Sequence, residues 1–115
     1  MKLLKKILIV DDEEDLCLML QKFFTGKDHQ VAIAGTLKEG MHKIDQWHPD
    51  ILLLDNNLPD GMGWEKAANL LDAYPALEIH LISAFHPTFP VYSKSNRLHL
   101  LEKPISQEGL RRIFE

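Results

Sequence analysis

The sequence predicts an α/β fold in which helices cover both faces of a parallel β-sheet. Three short apolar runs do not alternate regularly with polar residues, namely 7–10, 51–54 and 79–82, the last interrupted by one histidine. Runs of this kind are typical of strands that are buried on both faces. Helical patterns fill the gaps between the runs, and this alternation favours right-handed crossovers between parallel strands. The length of 115 residues suits a single domain, 1–115.

Two weaker strand candidates, 31–34 and 98–101, bring the expected number of strands to five. Helices are predicted where apolar residues recur at i, i+3, i+4 and i+7. Their inner stripes are Leu16, Met19, Leu20, Phe23 and Phe24, then Leu37, Met41 and Ile44, then Trp64, Ala67, Ala68 and Leu71, and finally Leu110 and Ile113. Gly26 is placed to end the first helix. Thr36, followed three residues on by an acid as in a capping box, and Ser106 are placed to begin the second and the last.

The stretch between Ser83 and Leu98 interrupts this pattern. A further helix, the fourth in chain order, is expected there. The segment 85–97 contains two prolines together with β-branched and aromatic residues, and it has no clean apolar stripe. Because proline is tolerated only in the first turn of a helix, the fourth helix is predicted to be short or irregular.

Composition and charge exclude several classes of protein. A formal net charge of −4 leaves no basic footprint for direct binding of nucleic acid. No stretch approaches transmembrane length, and the apolar run after the basic opening residues is too short for a secretory signal, so a cytoplasmic location without a membrane partner is expected. The histidines show neither HxH nor HxxxH spacing, and a histidine metal site is therefore not expected. Cys17 is the only cysteine and is expected to pack as a small apolar residue.

Polar side chains follow the ends of four predicted strands. Asp11 and Asp12 follow the first strand, and Asp55 follows the third. Ser83 follows the fourth strand, and Lys103 follows the fifth. Because ligands bind at the carboxyl ends of the strands in an open parallel sheet, we expect three carboxylates, a hydroxyl and an ammonium group at one edge.

The three carboxylates would repel one another if they converge. Two unit charges about 4 Å apart repel by about 4 kcal/mol at an effective dielectric constant of roughly 20. A hard divalent cation removes this cost, and Mg²⁺ suits a few carboxylates combined with waters and phosphate oxygens. The alternative is that the acidic run 11–15 only caps a helix, that Asp55 is an ordinary turn residue and that Lys103 is a solvated surface lysine.

The chain resembles the receiver domain of bacterial two-component response regulators along nearly its whole length. The resemblance rests on four groups of residues in a set order, Ile7-Leu8-Ile9-Val10-Asp11-Asp12, Asp55-Asn56-Asn57-Leu58-Pro59-Asp60-Gly61-Met62-Gly63, Ser83-Ala84 and Lys103-Pro104. The ordered set is specific, whereas any one group alone is not. The resemblance implies a doubly wound, flavodoxin-like sheet with the strand order 2-1-3-4-5.

The same resemblance implies roles for individual residues. Asp55 would be the phosphoacceptor, taking a phosphoryl group from a sensor histidine kinase or a histidine phosphotransfer protein. Lys103 and Ser83 would hold the phosphoryl oxygens. The residues implied to bind a Mg²⁺ cofactor are Asp11, Asp12, Asp55 and, through its backbone carbonyl, Asn57. Among these, Asp12 would be a direct ligand and Asp11 would act through water.

Two features depart from the pattern of the family. Leu100 stands three residues before Lys103, where the family often has Tyr or Phe, so the usual aromatic switch is not expected. The segment 85–97 is shorter than usual, which leaves the surface for dimerisation or output, and therefore the output partner, unidentified. The last helix is expected to be short, and no output domain is expected within 1–115.

Two other functions use some of the same residues. A Mg²⁺-dependent phosphatase with an aspartyl-phosphate intermediate usually has a second acid two residues after the nucleophile, where this chain has Asn57, and this disfavours turnover. A phosphorylation-independent interaction domain is favoured by Leu100 and by the unusual segment 85–97, but it is disfavoured by the intact acids and Lys103. The sequence therefore predicts a phosphoacceptor signalling domain, which catalyses only its own phosphorylation and slow dephosphorylation.

Overall fold

A computed structural model of the chain describes residues 4–84 and 95–115. Five parallel strands form the main sheet, and these are β1 (Lys6–Val10), β2 (Gln30–Ala34), β3 (Ile51–Asp55), β6 (Glu78–Ser83) and β7 (Leu98–Glu102). Two short antiparallel strands form a separate hairpin, β4 (Asn57–Leu58) and β5 (Gly61–Met62). The order in the main sheet is β2-β1-β3-β6-β7, which confirms the predicted 2-1-3-4-5 arrangement.

Helices lie between the strands of the main sheet or after the last of them. They are α1 (Glu14–Thr25), α2 (Leu37–Trp47), α3 (Ala67–Ala73) and α4 (Gln107–Phe114). The predicted short or irregular fourth helix falls almost wholly on residues 85–94, which lie outside the described residues. Within 4–84 and 95–115, no helix is both long enough and apolar enough to cross a membrane.

The core occupies both faces of the sheet, as the unbroken apolar runs predict. On one face, Leu8 and Leu52 pack with side chains of α2 and α3. On the other face, Ile9 and Leu53 pack with side chains of α1 and α4. These four side chains are fully buried, and each such burial stabilises the fold by about 1.5–3 kcal/mol. The two central strands thereby hold their carboxyl ends, where the candidate site lies, in a fixed relation.

The predicted helix boundaries are largely confirmed. Thr36 Oγ1 accepts a hydrogen bond from the Glu39 amide at 3.1 Å, and Ser106 Oγ accepts one from the Gly109 amide at 3.0 Å. The carboxylate of Glu39 lies 3.4 Å from Lys43 Nζ, one turn further along the same helix. Gly26 follows the last residue of α1, but with a right-handed φ of −63°.

The third helix begins later than its predicted stripe. Trp64 lies in a 3₁₀ turn, Gly63–Lys66, that precedes α3. Three residues per 3₁₀ turn bring Trp64 into line with Ala67, and both are buried. From Ala67, helical spacing selects Leu70 and Leu71 as the buried positions, whereas Ala68 points partly to solvent.

Candidate functional site

The site is built at the carboxyl edge of β1 and β3, which are neighbours in the sheet. Asp11 directly follows β1, and its amide donates a hydrogen bond to the Ala34 carbonyl at 3.0 Å, which continues the pairing with β2. Asp55 is the last residue of β3. One carboxylate oxygen from each of Asp11, Asp12 and Asp55 lies within 4.8 Å of the others. The expected convergence of the three acids is therefore present in the fold.

Two of the three acids are buried. Asp11 is 2% exposed and Asp55 is 6% exposed, whereas Asp12 is exposed. Oδ1 of Asp11 accepts a hydrogen bond from the Glu13 amide, and Oδ1 of Asp55 accepts one from the Asn56 amide, both at 2.9 Å. The second oxygen of Asp11, Oδ2, is buried and has no hydrogen-bond partner among the described residues. A buried carboxylate oxygen in this condition is costly unless a cation faces it.

The raised pKa values of the two buried acids also indicate that the cluster lacks positive charge. Burial, followed by the negative charge of Asp11, raises the pKa of Asp55 to about 6, although Lys103 and the Asn56 amide oppose the shift. Burial also raises the pKa of Asp11 above its ordinary value. Both shifts mean that the protein around the cluster does not fully compensate the charged carboxylates. The donor set contains only oxygens, which fits a hard cation such as Mg²⁺ together with waters.

Lys103 supplies the positive charge of the site. It follows β7, and its Nζ lies 3.8 Å from Oδ2 of Asp11 and 2.8 Å from Oε2 of Glu13. Burial lowers the pKa of Lys103, but the hydrogen bond to Glu13 and the charges of Asp11 and Asp55 outweigh burial and raise the pKa overall. Lys103 is therefore a permanent cation at the edge of the cluster. The peptide bond between Lys103 and Pro104 is cis.

Ser83 is tied directly to this lysine. It is the last residue of β6 and is 7% exposed. Its backbone carbonyl accepts a hydrogen bond from the Lys103 amide at 2.7 Å. The two residues are therefore joined through the backbone.

The loop after β3 is held by contacts that the sequence pattern did not reveal. Asn57 lies on the hairpin strand β4 and is exposed. The preceding Asn56 accepts hydrogen bonds from the Gly63 amide at its backbone oxygen, 3.0 Å, and from the Trp64 amide at its side-chain oxygen, 3.1 Å. A Cβ on Gly63 would lie 2.2 Å from the carbonyl oxygen of Asp55, so only glycine fits at this position. These contacts hold the backbone of the loop that directly follows the buried acid.

Cys17 is buried next to Asp11. It is 5% exposed, and its thiol donates a hydrogen bond to the Asp11 carbonyl, with Sγ 3.3 Å from the oxygen. Burial and the charge of Asp11 raise the pKa of the Cys17 thiol to about 11. The thiol is thus protonated at neutral pH, which agrees with the predicted packing role and disfavours a nucleophilic one.

A protein family and several known proteins match most of this chain. The family described as "Response regulator receiver domain" matches residues 7–115. The transcriptional regulatory protein DpiA of Escherichia coli is 34% identical over 108 residues, which cover 90% of this chain and 48% of that protein. A protein-glutamate methylesterase/protein-glutamine glutaminase of Bacillus licheniformis is 32% identical over 82 residues, 69% of this chain and 22% of that protein. The chain therefore spans less than half the length of these relatives.

A solved structure shares the fold. It is a response regulator receiver domain protein (CheY-like) from Methanospirillum hungatei, with a TM-score of 0.85 and 26% sequence identity. The match covers 96% of this chain and 90% of that one. The similarity therefore extends from β1 to α4 and includes the strand ends that carry the acids.

Proposed function

This chain belongs to the response regulator receiver domain family, and we propose that it is a phosphoacceptor signalling domain in which Asp55 accepts the phosphoryl group. The donor would be a sensor histidine kinase or a histidine phosphotransfer protein, and the reaction would take place in the cytoplasm. One observation carries the proposal. The buried Asp55 lies at the same sheet edge as Asp11 and Lys103, and Oδ2 of Asp11 has no hydrogen-bond partner among the described residues.

The chemistry follows from the side chains. The Asp55 carboxylate attacks the phosphorus atom, the bond between phosphorus and the donor nitrogen breaks, and an aspartyl phosphate forms. Charge on the transferring phosphoryl oxygens must be neutralised, because this transfer depends on positioning and electrostatic stabilisation. Lys103, whose Nζ lies 3.8 Å from Oδ2 of Asp11, would supply positive charge. Ser83, the last residue of β6, would donate its hydroxyl to a phosphoryl oxygen.

A Mg²⁺ ion fits the remaining groups. Asp11, Asp12 and Asp55 would hold it, together with the backbone carbonyl of Asn57, and it would supply the positive charge that the cluster lacks. Asp12 is the most exposed of the three acids, so it would bind the ion from the solvent side. One oxygen of Asp11 is bonded to the Glu13 amide, and its other oxygen, which has no hydrogen-bond partner among the described residues, would face the ion through a water.

The phosphorylated state would be signalled through Lys103 and Ser83. If Lys103 turns from Glu13 to the phosphoryl oxygens, the hydrogen bond from its amide to the Ser83 carbonyl couples the change to β6. Leu100 is half-buried against the core next to α3 and has no ring to rotate, so the output is proposed to leave by another route. The output partner itself is not specified by these contacts.

Mass spectrometry after incubation with acetyl phosphate and Mg²⁺ tests the proposal. The wild-type chain should gain one phosphate, and Asp55→Asn should gain none. Asp45→Asn, which removes an exposed acid on α2, is the matched control and should be phosphorylated like the wild type. Rapid release of phosphate over many turnovers would instead indicate a phosphatase, and absence of any adduct on the wild type would indicate a phosphorylation-independent interaction domain.

A further inference from the structure

A second group of metal-ligating side chains lies near the opposite edge of the sheet. Glu78 opens β6, His80 follows two residues later, and His99 lies on the neighbouring strand β7. Alternate residues of a strand share a face, so Glu78 and His80 project together. His99 is the direct register partner of His80, which places it on the same face. The acids of the proposed phosphoacceptor site lie instead at the carboxyl ends of β1 and β3.

The three side chains converge on one point. Nε2 of His80 lies 3.0 Å from Oε2 of Glu78, and Nε2 of His99 lies 3.6 Å from Oε1 of the same carboxylate. One donor atom from each residue lies within 4.8 Å of the others. In the part of the chain that the structure describes, Nε2 of His99 is buried without a hydrogen-bond partner. A ring nitrogen in this condition, facing a carboxylate, is placed to bind a cation.

We propose that Glu78, His80 and His99 form a Zn²⁺ site. Two imidazole nitrogens and one carboxylate oxygen are a ligand set that zinc uses in proteins, with a water at the fourth position. Mg²⁺ prefers oxygen ligands alone, so the two clusters of this chain differ in the metal that each selects. This site is separate from the proposed phosphoacceptor site, and a result against one of the two proposals leaves the other unaffected.

His80 is the fixed member of the set. It is 2% exposed, and its ring lies 4.7 Å from that of Phe114 on α4. Burial lowers the pKa of His80 below its ordinary value, so the ring is neutral at neutral pH and can offer a lone pair. Binding through Nε2 places the ring proton on Nδ1. No described residue accepts a hydrogen bond from Nδ1, and for this reason we expect moderate affinity.

His99 is the adjustable member. Its ring is stacked on that of His80, with centroids 4.6 Å apart and planes at 19° to each other. A metal ion lies near the plane of each imidazole that binds it, so two nearly parallel rings cannot share an ion until one of them turns. The side chain of His99 is 42% exposed against 3% for His80, so His99 is the ring that turns.

A bound ion would join the last two strands of the sheet. β7 is an edge strand, because it ends the order β2-β1-β3-β6-β7. Ligands from both strands would link β7 to β6 at the end of these strands that is far from Ser83. Since an ion that binds only the folded chain stabilises it, Zn²⁺ is expected to raise the thermal unfolding temperature.

Isothermal titration calorimetry with ZnCl₂ tests the site. Excess Mg²⁺ is present to occupy the acidic cluster. The wild type should bind one Zn²⁺ per chain. His99→Gln should weaken binding by about tenfold or more, the range seen when groups that support a metal are lost. His42→Gln removes an exposed histidine on α2 and is the matched control, with an affinity equal to that of the wild type.

Two further variants keep the result unambiguous. Glu78→Gln retains the shape of the side chain but removes its charge, and it should also weaken binding, whether or not His99→Gln folds. Asp55→Asn should bind Zn²⁺ like the wild type, even if phosphorylation is lost. Equal affinity of the wild type, Glu78→Gln and His99→Gln would overturn the proposal, as would a lack of binding by the wild type or loss of binding in Asp55→Asn alone.

Discussion

Nζ of Lys103 lies 2.8 Å from Oε2 of Glu13, closer than its 3.8 Å separation from Oδ2 of Asp11. The lysine that is proposed to hold the phosphoryl group is therefore engaged by an acid from the loop after β1. The Glu13 side chain is 55% exposed, and exposed pairs of this kind contribute only about 0.2–1 kcal/mol. Glu13 can thus be displaced by a phosphoryl oxygen at a small cost.

Glu13→Gln should tighten the binding of beryllofluoride, a phosphoryl mimic, in the presence of Mg²⁺. Removal of the competing charge releases Lys103, and the contribution of an exposed ion pair corresponds to an increase in affinity of up to about fivefold. A fluorescence titration of the two proteins measures the difference. Glu14→Gln, which neutralises an exposed acid one residue further on, should bind like the wild type. The same affinity in all three proteins would mean that Glu13 does not compete.

Asp60 should stabilise the start of α2 in a pH-dependent way. Its Oδ2 accepts a hydrogen bond from the Lys38 amide at 2.9 Å, and its Oδ1 accepts one from the Leu37 amide at 2.7 Å. These bonds, that from Lys38 first, lower the pKa of Asp60 below 3.8. Because the folded state binds the proton more weakly than the unfolded state, this stabilisation is complete above pH 3.8 and is lost as the pH falls through the native value.

The carboxyl carbon resonance of Asp60, followed by NMR as a function of pH, should report that lowered pKa. Urea unfolding should show that Asp60→Asn is less stable than the wild type at neutral pH and that the difference narrows in acid. Asp72→Asn, an exposed acid on α3, serves as the control. A stability difference that does not change with pH would rule out the charge of Asp60 as its source.

Gly63→Ala should destabilise the chain and disturb the phosphoacceptor. A Cβ at this position would lie 2.2 Å from the backbone oxygen of Asp55 and 2.9 Å from a side-chain carbon of Leu54, so the loop must shift. We expect a loss of about 1–3 kcal/mol in the free energy of unfolding, as for other overpacked sites, together with slower phosphorylation. Gly35→Ala is the control, since its Cβ would meet no atom within 4 Å. Equal urea midpoints for both variants would contradict the steric argument.

Arg97 should be a major anchor of the segment that leads into β7. Its guanidinium donates hydrogen bonds to the carbonyls of Leu71, Tyr74 and Leu77, at 2.9, 3.1 and 2.9 Å. Arg97→Met removes these donors and should lower the free energy of unfolding by at least about 1.5–3 kcal/mol, the range for a single hydrogen bond with a charged group. Arg97→Lys should recover only part of the loss, because one ammonium cannot match the planar fork. Arg111→Met, at an exposed position, should change stability by less than about 0.5 kcal/mol.

Leu100 should not act as a switch. It is half-buried, it packs against the core on the α3 face, and it has no ring to rotate between buried and exposed positions. Backbone amide shifts from Leu98 to Leu101 are expected to change little when beryllofluoride and Mg²⁺ are added, compared with those of Ser83 and Lys103. A rearrangement centred on Leu100 would show that the signal passes through this position after all.

Much of the fold and of the candidate site was predictable from the sequence. The runs 7–10 and 51–54 are buried on both faces because no polar residue interrupts them, and this alone predicts central parallel strands. Since parallel strands end at a common edge, the acids that follow these runs were predicted to converge, and their oxygens do so. Thr36 and Ser106 cap helices through contacts that span only three residues. Local and periodic features of this kind depend on residues that are close together in the sequence, so the sequence predicts them.

Tertiary structure alone decided which distant side chains meet. The sequence predicted no histidine metal site, because HxH and HxxxH spacings describe ligands on one element, whereas His80 and His99 are brought together by the register of two strands. The pairing of Lys103 with Glu13 likewise depends on the positions of two loops. Such contacts depend on strand register, loop path and side-chain rotamer, and none of these is set by the residues near either partner. The sequence thus determined where the reactive groups are presented, and the packed fold determined what each of them faces.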